Sequence, residues 1–185
     1  MKTSKVERIT IAGFGGQGVM MLGQILAHTA IKEQLNSTWY PSYGPETRGG
    51  TANCAVIISN EPIYSPVFRL SDTLIIFNGP SLDKFQNRIH EDGLLLYNSS
   101  LIDKEKVTFK NSYGIPVNDL ANQLGNPKVI NMIMLGAYLE LRKTYNLENI
   151  LHTLQQHLGE RKKDLLDINI KAIEAGRKYI MELML

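Results

Sequence analysis

A glycine-rich stretch near the start of the chain, GFGGQG at positions 13–18, has the residue types and spacing to bind an anion. Gly13, Gly15 and Gly18 form the pattern G-x-G-x-x-G, which dinucleotide-binding folds place between a strand and a helix. There the glycines permit a tight turn and a close backbone approach, and the start of the helix offers N–H groups to a phosphate. Gln17 adds an amide that can donate to a phosphate or to a neighbouring carbonyl. The same glycines can also serve only to form a sharp turn, and both interpretations stay open.

A second loop, SYGPETRGGTA at positions 42–52, combines a constrained backbone with charged side chains. Its glycines and prolines favour one defined loop conformation. Arg48 can bind a carboxylate or phosphate through two parallel hydrogen bonds, although Glu46 can instead pair with it. Both loops follow strands of the same half of the sheet, so we expect them to converge on one crevice. The candidate ligand-binding residues are therefore Gly13, Gly15, Gly16, Gln17 and Gly18 from the first loop, and Tyr43, Glu46, Thr47 and Arg48 from the second.

Binding of a free nicotinamide dinucleotide requires one more feature, which the sequence lacks. A dehydrogenase usually carries Asp or Glu about 20 residues after the glycines, at the end of the second strand, to bind the ribose hydroxyls. Here that region is STWYPSYG, and the neighbouring carboxylates, Glu33 and Glu46, lie in the preceding helix and in the later loop. The departure argues against a free-standing NAD(P)-binding dehydrogenase. That function and a nucleotide-binding module unrelated to redox enzymes are the two alternatives.

The remaining reactive side chains do not form a complete catalytic or metal site. The single cysteine, Cys54, lies in an apolar run and is expected to be a buried small hydrophobe. One cysteine cannot form an intramolecular disulfide or hold an iron–sulfur cluster by itself. Of the four histidines, His152 and His157 are five positions apart and therefore diverge around a helix. We expect no catalytic residue in this chain and no metal or cofactor bound by it alone.

The composition is that of an ordinary soluble protein in a reducing compartment, so a cytoplasmic location is expected. The chain has 185 residues, which fits a single domain over residues 1–185. Its formal net charge of +2 is too small to suggest binding to nucleic acid or to an anionic membrane. The amino terminus lacks the apolar stretch of a signal peptide. The most apolar segment, VINMIMLGAYLEL from Val129, is shorter than the roughly 20 residues that span a bilayer.

The elements that must position the loops alternate between strands and helices along the chain. Strands are expected at residues 6–12, 37–40, 51–59, 72–78, 93–98 and 107–110. Helices are expected at residues 19–32, 79–89 and 118–125, from 127 through the apolar segment, and at 147–158 and 163–183. This alternation predicts an α/β fold with a mainly parallel central sheet and helices on both faces. Its first crossover would be Rossmann-like, and helices from about residue 118 would form the carboxy-terminal part.

The apolar helix after Val129 needs cover on all sides, either from this chain or from a partner. Asn131 lies inside it and must be hydrogen-bonded, either to nearby loop backbone or across an interface. The chain ends in YIMELML, which is again apolar. We expect an apolar contact with a partner here, and exposed apolar surface would also favour self-association of the isolated chain.

Three segments in this order resemble one known family. GFGGQG, then PSYGPETRGGTANCAVIIS after the second strand, then FNGPSLDKF after a buried strand are similar to the gamma subunit of 2-oxoacid:acceptor oxidoreductases. The resemblance covers most of the chain and is densest at residues 9–59. Within the family the sequence looks most like the 2-oxoglutarate type.

The resemblance implies a subunit of an enzyme rather than a complete enzyme. The family converts a 2-oxoacid and coenzyme A to acyl-CoA and carbon dioxide, and it reduces ferredoxin or a similar acceptor. Alpha and beta subunits are the implied partners, with a ferredoxin-like delta subunit as a further candidate. Thiamine diphosphate, Mg²⁺ and iron–sulfur clusters are expected in those partners, and the isolated chain is expected to be inactive. The two loops of this chain would then face an anionic ligand, for which coenzyme A is the candidate.

Overall fold

A six-stranded sheet forms the centre of the molecule. The computed structural model describes residues 6–42, 52–159 and 163–185. The strands are β1 (Val6–Gly13), β2 (Asn36–Ser42), β3 (Ala52–Ser59), β4 (Ser71–Ile76), β5 (Ile89–Asn98) and β6 (Ser112–Ile115). They lie side by side in the order β2-β3-β1-β4-β5-β6. Apolar residues run continuously through the second half of β4 and almost continuously through the second half of β5, as expected for strands buried on both faces.

The sheet is mixed, so the prediction of a mainly parallel sheet was wrong. The strands β1, β4, β5 and β6 are parallel neighbours, whereas β3 is antiparallel to both β1 and β2. The physical reason is connectivity, since parallel neighbours need a crossover of a dozen or more residues and usually a helix. Only nine positions, 43–51, separate β2 from β3.

The expected Rossmann-like first crossover is also not found. Helix α1 (Val19–Lys32) does connect β1 to β2, but β3 lies between these two strands. In a dinucleotide-binding fold the second strand pairs directly with the first. Here the end of β2 is displaced from β1 by two strand spacings, about 10 Å.

Helices cover the two faces of the sheet unequally. The remaining helices are α2 (Gly79–Phe85), α3 (Val117–Gln123), α4 (Ile130–Arg142), α5 (Leu147–Leu158) and α6 (Lys163–Leu183). Helices α1, α3, α4, α5 and α6 share one large buried cluster with one face of the sheet. Helix α2 packs on the other face in a smaller cluster, together with the segment around Ile102, Val107 and Phe109. Within the described residues, no helix combines the length and apolar character needed to cross a membrane.

Several element boundaries differ from the sequence-based expectation. Helix α2 ends at Phe85 rather than at 89, and β5 begins at Ile89. Residues 107–110 do not form a strand; their apolar side chains pack on the sheet and β6 follows at Ser112. Helix α3 spans Val117–Gln123 rather than the expected 118–125, and Pro116 is its N-cap.

Helix α4 is covered by this chain itself. Its residues from Ile130 to Leu139 are all buried, and it packs against α6, α3 and α1. The exposed apolar side chains of this region lie instead at the end of α6, at Met181 and Leu183, and just after it, at Met184 and Leu185. A partner contact therefore has apolar surface available at the end of α6 and not on α4.

Candidate functional site

The candidate site lies where the chain leaves two neighbouring parallel strands in opposite directions. After β1 the chain passes to α1 on one face, and after β4 it passes to α2 on the other face. A crevice outside the carboxyl ends of the strands at such a point is where open α/β sheets bind ligands. The glycine loop 13–18 and the turn at Phe77–Gly79 therefore form the two walls of the candidate site.

The glycine loop needs its glycines for both backbone and space. Gly16 and Gly18 have φ of 92° and 74°, which L side chains rarely adopt. A Cβ atom on Gly13 would lie 2.6 Å from Gln17 Oε1 and 2.9 Å from Phe77 Cβ. A Cβ atom on Gly18 would overlap the Asn131 side chain. Gly15 and Gly16 are exposed, and Gly18 is the N-cap of α1 without a side-chain hydrogen bond. Among the described residues, the N-cap position of α1 therefore has no side-chain cap.

Gln17 was predicted as a hydrogen-bond donor to a ligand or to a neighbouring carbonyl. In the structure its side-chain oxygen accepts two hydrogen bonds from within the site. The Phe14 N–H donates to Gln17 Oε1 at 2.6 Å, and Asn78 Nδ2 donates to the same oxygen at 3.1 Å. Gln17 is half-buried. It therefore joins the glycine loop to the turn after β4, and its Nε2 group is the part of the amide left for a ligand.

Asn131 is hydrogen-bonded to loop backbone, which decides between the two alternatives that the sequence left open. Its Nδ2 donates to the Gly18 carbonyl at 3.4 Å, and its Oδ1 accepts from the Met132 N–H at 3.0 Å. The side chain is 4% exposed. Asn131 thus fixes α4 against the glycine loop.

A row of asparagines at this edge was missed by the sequence analysis. Asn78 follows β4, and Asn98 ends β5. Asn98 is fully buried, donating to the Phe77 carbonyl at 3.2 Å and to Asn118 Oδ1 at 2.7 Å. The signal was present in the sequence, because the runs LIIFN and LLLYN both end in an aromatic residue followed by asparagine. The carboxyl edge of the sheet is consequently cross-linked by amides.

Most of the second predicted loop lies outside the described residues. Tyr43, Glu46, Thr47 and Arg48 lie outside the described residues. The strands on either side are described, and Ala52, the first residue of β3, is the register partner of Gly13. The chain therefore enters β3 directly beside the start of the glycine loop.

The comparison with known proteins decides the family. Residues 8–179 match the family described as pyruvate ferredoxin/flavodoxin oxidoreductase. The chain belongs to this family. The resemblance to gamma subunits of 2-oxoacid oxidoreductases is thereby confirmed.

Curated members of the family differ in length and in the substrate that their names give. The chain is 40% identical over 93% of its length to the ketoisovalerate oxidoreductase subunit VorA of Methanothermobacter marburgensis, but spans 36% of that protein. It is 32% identical over 86% of its length to the 2-oxoglutarate synthase subunit KorC of Methanocaldococcus jannaschii, and spans 89% of it. The chain thus corresponds to about a third of one relative and to most of the other.

A solved structure of the family has the same fold. The gamma subunit of a keto/oxoacid ferredoxin oxidoreductase from Geobacter sulfurreducens superposes with a TM-score of 0.80 at 27% identity. The superposition covers 95% of this chain and 99% of that subunit.

Clusters of metal-binding side chains are absent from the described part of this chain. No group of three or more His, Cys, Asp or Glu there can hold a metal ion. Burial raises the pKa of Cys54 to about 12, and the thiol is fully buried against α1. Cys54 is therefore poorly suited to act as a thiolate ligand or nucleophile.

The histidines form one contact that the sequence analysis did not find. His28 on α1 and His157 on α5 stack with ring centroids 4.8 Å apart, and Nδ1 of His28 lies 2.8 Å from Nε2 of His157. Partial burial and the neighbouring His28 lower the pKa of His157. The pair lies 129 positions apart in sequence, so no local spacing could reveal it.

A second polar cluster lies at the opposite edge of the sheet and is structural. Glu7 accepts from Thr73 at 2.7 Å and from Tyr138 at 2.9 Å, and pairs with Arg142 at 3.2 Å. Burial and the Glu7 carboxylate raise the pKa of Tyr138 well above its ordinary value. These contacts join the end of α4 to β1 and β4 beside an open groove of about 960 Å³.

Proposed function

We propose that this chain is the gamma subunit of a multi-subunit 2-oxoacid:acceptor oxidoreductase. The complex would oxidatively decarboxylate a 2-oxoacid with coenzyme A, giving acyl-CoA and carbon dioxide and reducing ferredoxin or a similar acceptor. The observation that supports this most directly is the family match over residues 8–179.

The proposed division of labour places the reactive cofactors in other subunits. Thiamine diphosphate, Mg²⁺ and iron–sulfur clusters would be held by the alpha and beta subunits, with a ferredoxin-like delta subunit as a further partner. The proposal is supported by the single cysteine of the sequence and by its deep burial. In this arrangement the isolated chain has no activity, and the complex is cytoplasmic.

The contribution of this chain to the reaction is proposed to be ligand binding at the glycine loop. The start of α1 supplies N–H groups and the Gln17 amide supplies a further donor, so the site favours an anionic oxygen. Tyr43, Glu46, Thr47 and Arg48 precede β3 in the sequence, and the first residue of β3, Ala52, pairs with Gly13 at the start of this loop. Coenzyme A, with its phosphates, is the anionic ligand of the proposed reaction.

The 2-oxoacid itself is proposed to be 2-oxoglutarate. Two relatives are named for 2-oxoglutarate. KorC of Methanocaldococcus jannaschii is 32% identical to this chain, and KorC of Archaeoglobus fulgidus is 33% identical. A branched-chain 2-oxoacid is the second candidate, because the VorA relative named for ketoisovalerate is 40% identical.

Purification of the chain from its native source tests the proposal. A tag on this chain should recover larger subunits, iron–sulfur absorbance and thiamine diphosphate, with coenzyme A-dependent oxidation of 2-oxoglutarate. Preference for ketoisovalerate would assign the second substrate. Recovery of the chain without any oxidoreductase subunit would contradict the proposal.

The Arg48→Ala variant of the complex tests the ligand role of the second loop. We expect a higher KM for coenzyme A with assembly intact, because the guanidinium is a bidentate phosphate donor. Lost assembly with an unchanged KM would assign this loop to the subunit interface instead.

The alternative of a free NAD(P)-binding dehydrogenase is disfavoured by the sheet order. Because β3 lies between β1 and β2, the end of β2 does not adjoin the glycine loop as ribose recognition requires. Titration calorimetry of the chain with NADH should give no heat of binding.

A further inference from the structure

The hydrogen bonds of Asn78 and Gln17 fix which way both amides point. A backbone N–H can only donate, so the atom that receives it must be an oxygen. The Ser81 N–H donates to Asn78 Oδ1 at 2.9 Å, which directs the Asn78 NH₂ group to its other neighbour. That neighbour is Gln17 Oε1, at 3.1 Å, which also receives the Phe14 N–H at 2.6 Å. Both orientations thus follow from two backbone donors and are mutually consistent.

The consequence is that Gln17 offers its ligand a donor and no acceptor. Its oxygen has two donors already, and among the described residues the structure shows no acceptor bonded to Nε2. Asn78 is 2% exposed, so its contacts are protected from water. Without the Asn78 donor, the Gln17 oxygen would be held by the Phe14 N–H alone, so the NH₂ group would be held less firmly towards the ligand.

We propose that Asn78 is a positioning residue that, together with the Phe14 N–H, holds the Gln17 amide as a donor to an anionic oxygen of coenzyme A. The proposal rests on the ligand role of the glycine loop proposed above. Asn78 is also the N-cap of α2, so it connects the turn after β4 to the loop after β1. Asn78 would thereby act on the ligand from a neighbouring strand, through its hydrogen bond to Gln17.

The chain offers isosteric and cap-preserving variants for the test. Gln17→Glu keeps an oxygen for Phe14 and Asn78 but replaces the NH₂ group with a second, charged oxygen. Asn78→Ser keeps a good N-cap residue for α2 and removes the donor to Gln17 without adding charge. Asn126→Ser is the matched control, because Asn126 caps the turn before α4 by accepting from Lys128 and has no described contact with Gln17.

The experiment measures KM and kcat of the assembled complex with coenzyme A and the 2-oxoacid varied separately. We expect Gln17→Glu to raise the KM for coenzyme A about tenfold or more and Asn78→Ser about threefold or more, with kcat at saturating coenzyme A retained. Asn126→Ser should change neither. In a Gln17→Ala background the effect of Asn78→Ser should vanish, since Asn78 acts only through Gln17.

The outcomes separate this proposal from the one on which it rests. If Gln17→Glu leaves the KM for coenzyme A unchanged, or raises only the KM for the 2-oxoacid, the proposed ligand of the loop is wrong and this proposal falls with it. If Gln17→Glu raises the KM but Asn78→Ser does not, only the positioning role is overturned. An effect of Asn78→Ser that persists in full in the Gln17→Ala background overturns it as well.

Discussion

The crossing of α4 and α6 predicts a large loss of stability for Gly176→Ala. A Cβ atom on Gly176 would overlap the backbone carbonyl oxygen of Ile133, and one on Gly136 would overlap that of Ile173. The opposing atoms belong to helix backbone, which cannot rotate away as a side chain can. The two helices must therefore separate across a fully buried contact that includes Ala172, Ile173 and Ile133.

The magnitude follows from two opposing effects. Overpacking a core costs about 1–3 kcal/mol, and here it is at the upper end because backbone must move. Alanine in a helix regains about 1 kcal/mol over glycine. The net loss is therefore about 2 kcal/mol, or roughly 4–8 °C in Tm for a chain of this size.

Thermal and urea denaturation followed by circular dichroism measure this loss. Gly79→Ala is the matched control, since a Cβ atom on Gly79 meets nothing within 4 Å, and it should be neutral or slightly stabilising. Equal stability of Gly176→Ala and the wild type would refute the close backbone crossing. The result bears on the candidate site, because α4 carries Asn131, which contacts the Gly18 carbonyl.

Three further predictions follow from individual side chains. Gly18→Ala should destabilise the chain by about 1–3 kcal/mol in urea denaturation, since it combines a φ of 74° with overlap of Asn131; an unchanged midpoint would contradict the loop geometry. Cys54, with a pKa of about 12 and no exposed surface, should not react with a thiol reagent at pH 8 until denaturant is added, and rapid native labelling would show that the strand opens. Because the folded-state pKa of His157 lies below 6.5, protonation favours the unfolded chain, so stability is full above pH 6.5 and falls as the pH drops towards the folded-state pKa. The denaturation midpoint of the wild type should therefore fall between pH 7 and 5, and the His157→Gln variant should show a smaller fall. An equal fall in the wild type and the variant would contradict a contribution of the His28–His157 pair to this pH dependence.

Local patterns predicted most elements because each depends on its own residues. The apolar run LIIF within DTLIIFN marks the buried strand β4, and the Gly-Pro pair after it begins α2. The direction of β3 was not predictable in this way. Its sequence, ANCAVIIS, suits a parallel or an antiparallel neighbour equally, and its place between β1 and β2 depends on pairing with distant strands.

Local sequence predicted the turn that forms the candidate site, but not the hydrogen bonds within it. The spacing of Gly13 and Gly18 identified the turn after β1, and the structure confirms that both positions lack room for a side chain. Gln17 was predicted as a hydrogen-bond donor, but its hydrogen bond with Asn78 was not predicted because Asn78 is 61 positions away. A hydrogen bond between two loops is a property of the strand order, which local sequence does not contain.

Reconstitution of the oxidoreductase with and without this chain is the most direct measurement. Purified partner subunits should reduce a ferredoxin or viologen acceptor with 2-oxoacid and coenzyme A only when this chain is added, and the chain alone should show no activity. Full coenzyme A-dependent activity of the partners without this chain, or oxidation of a 2-oxoacid by this chain alone, would contradict its assignment as the subunit that completes the complex.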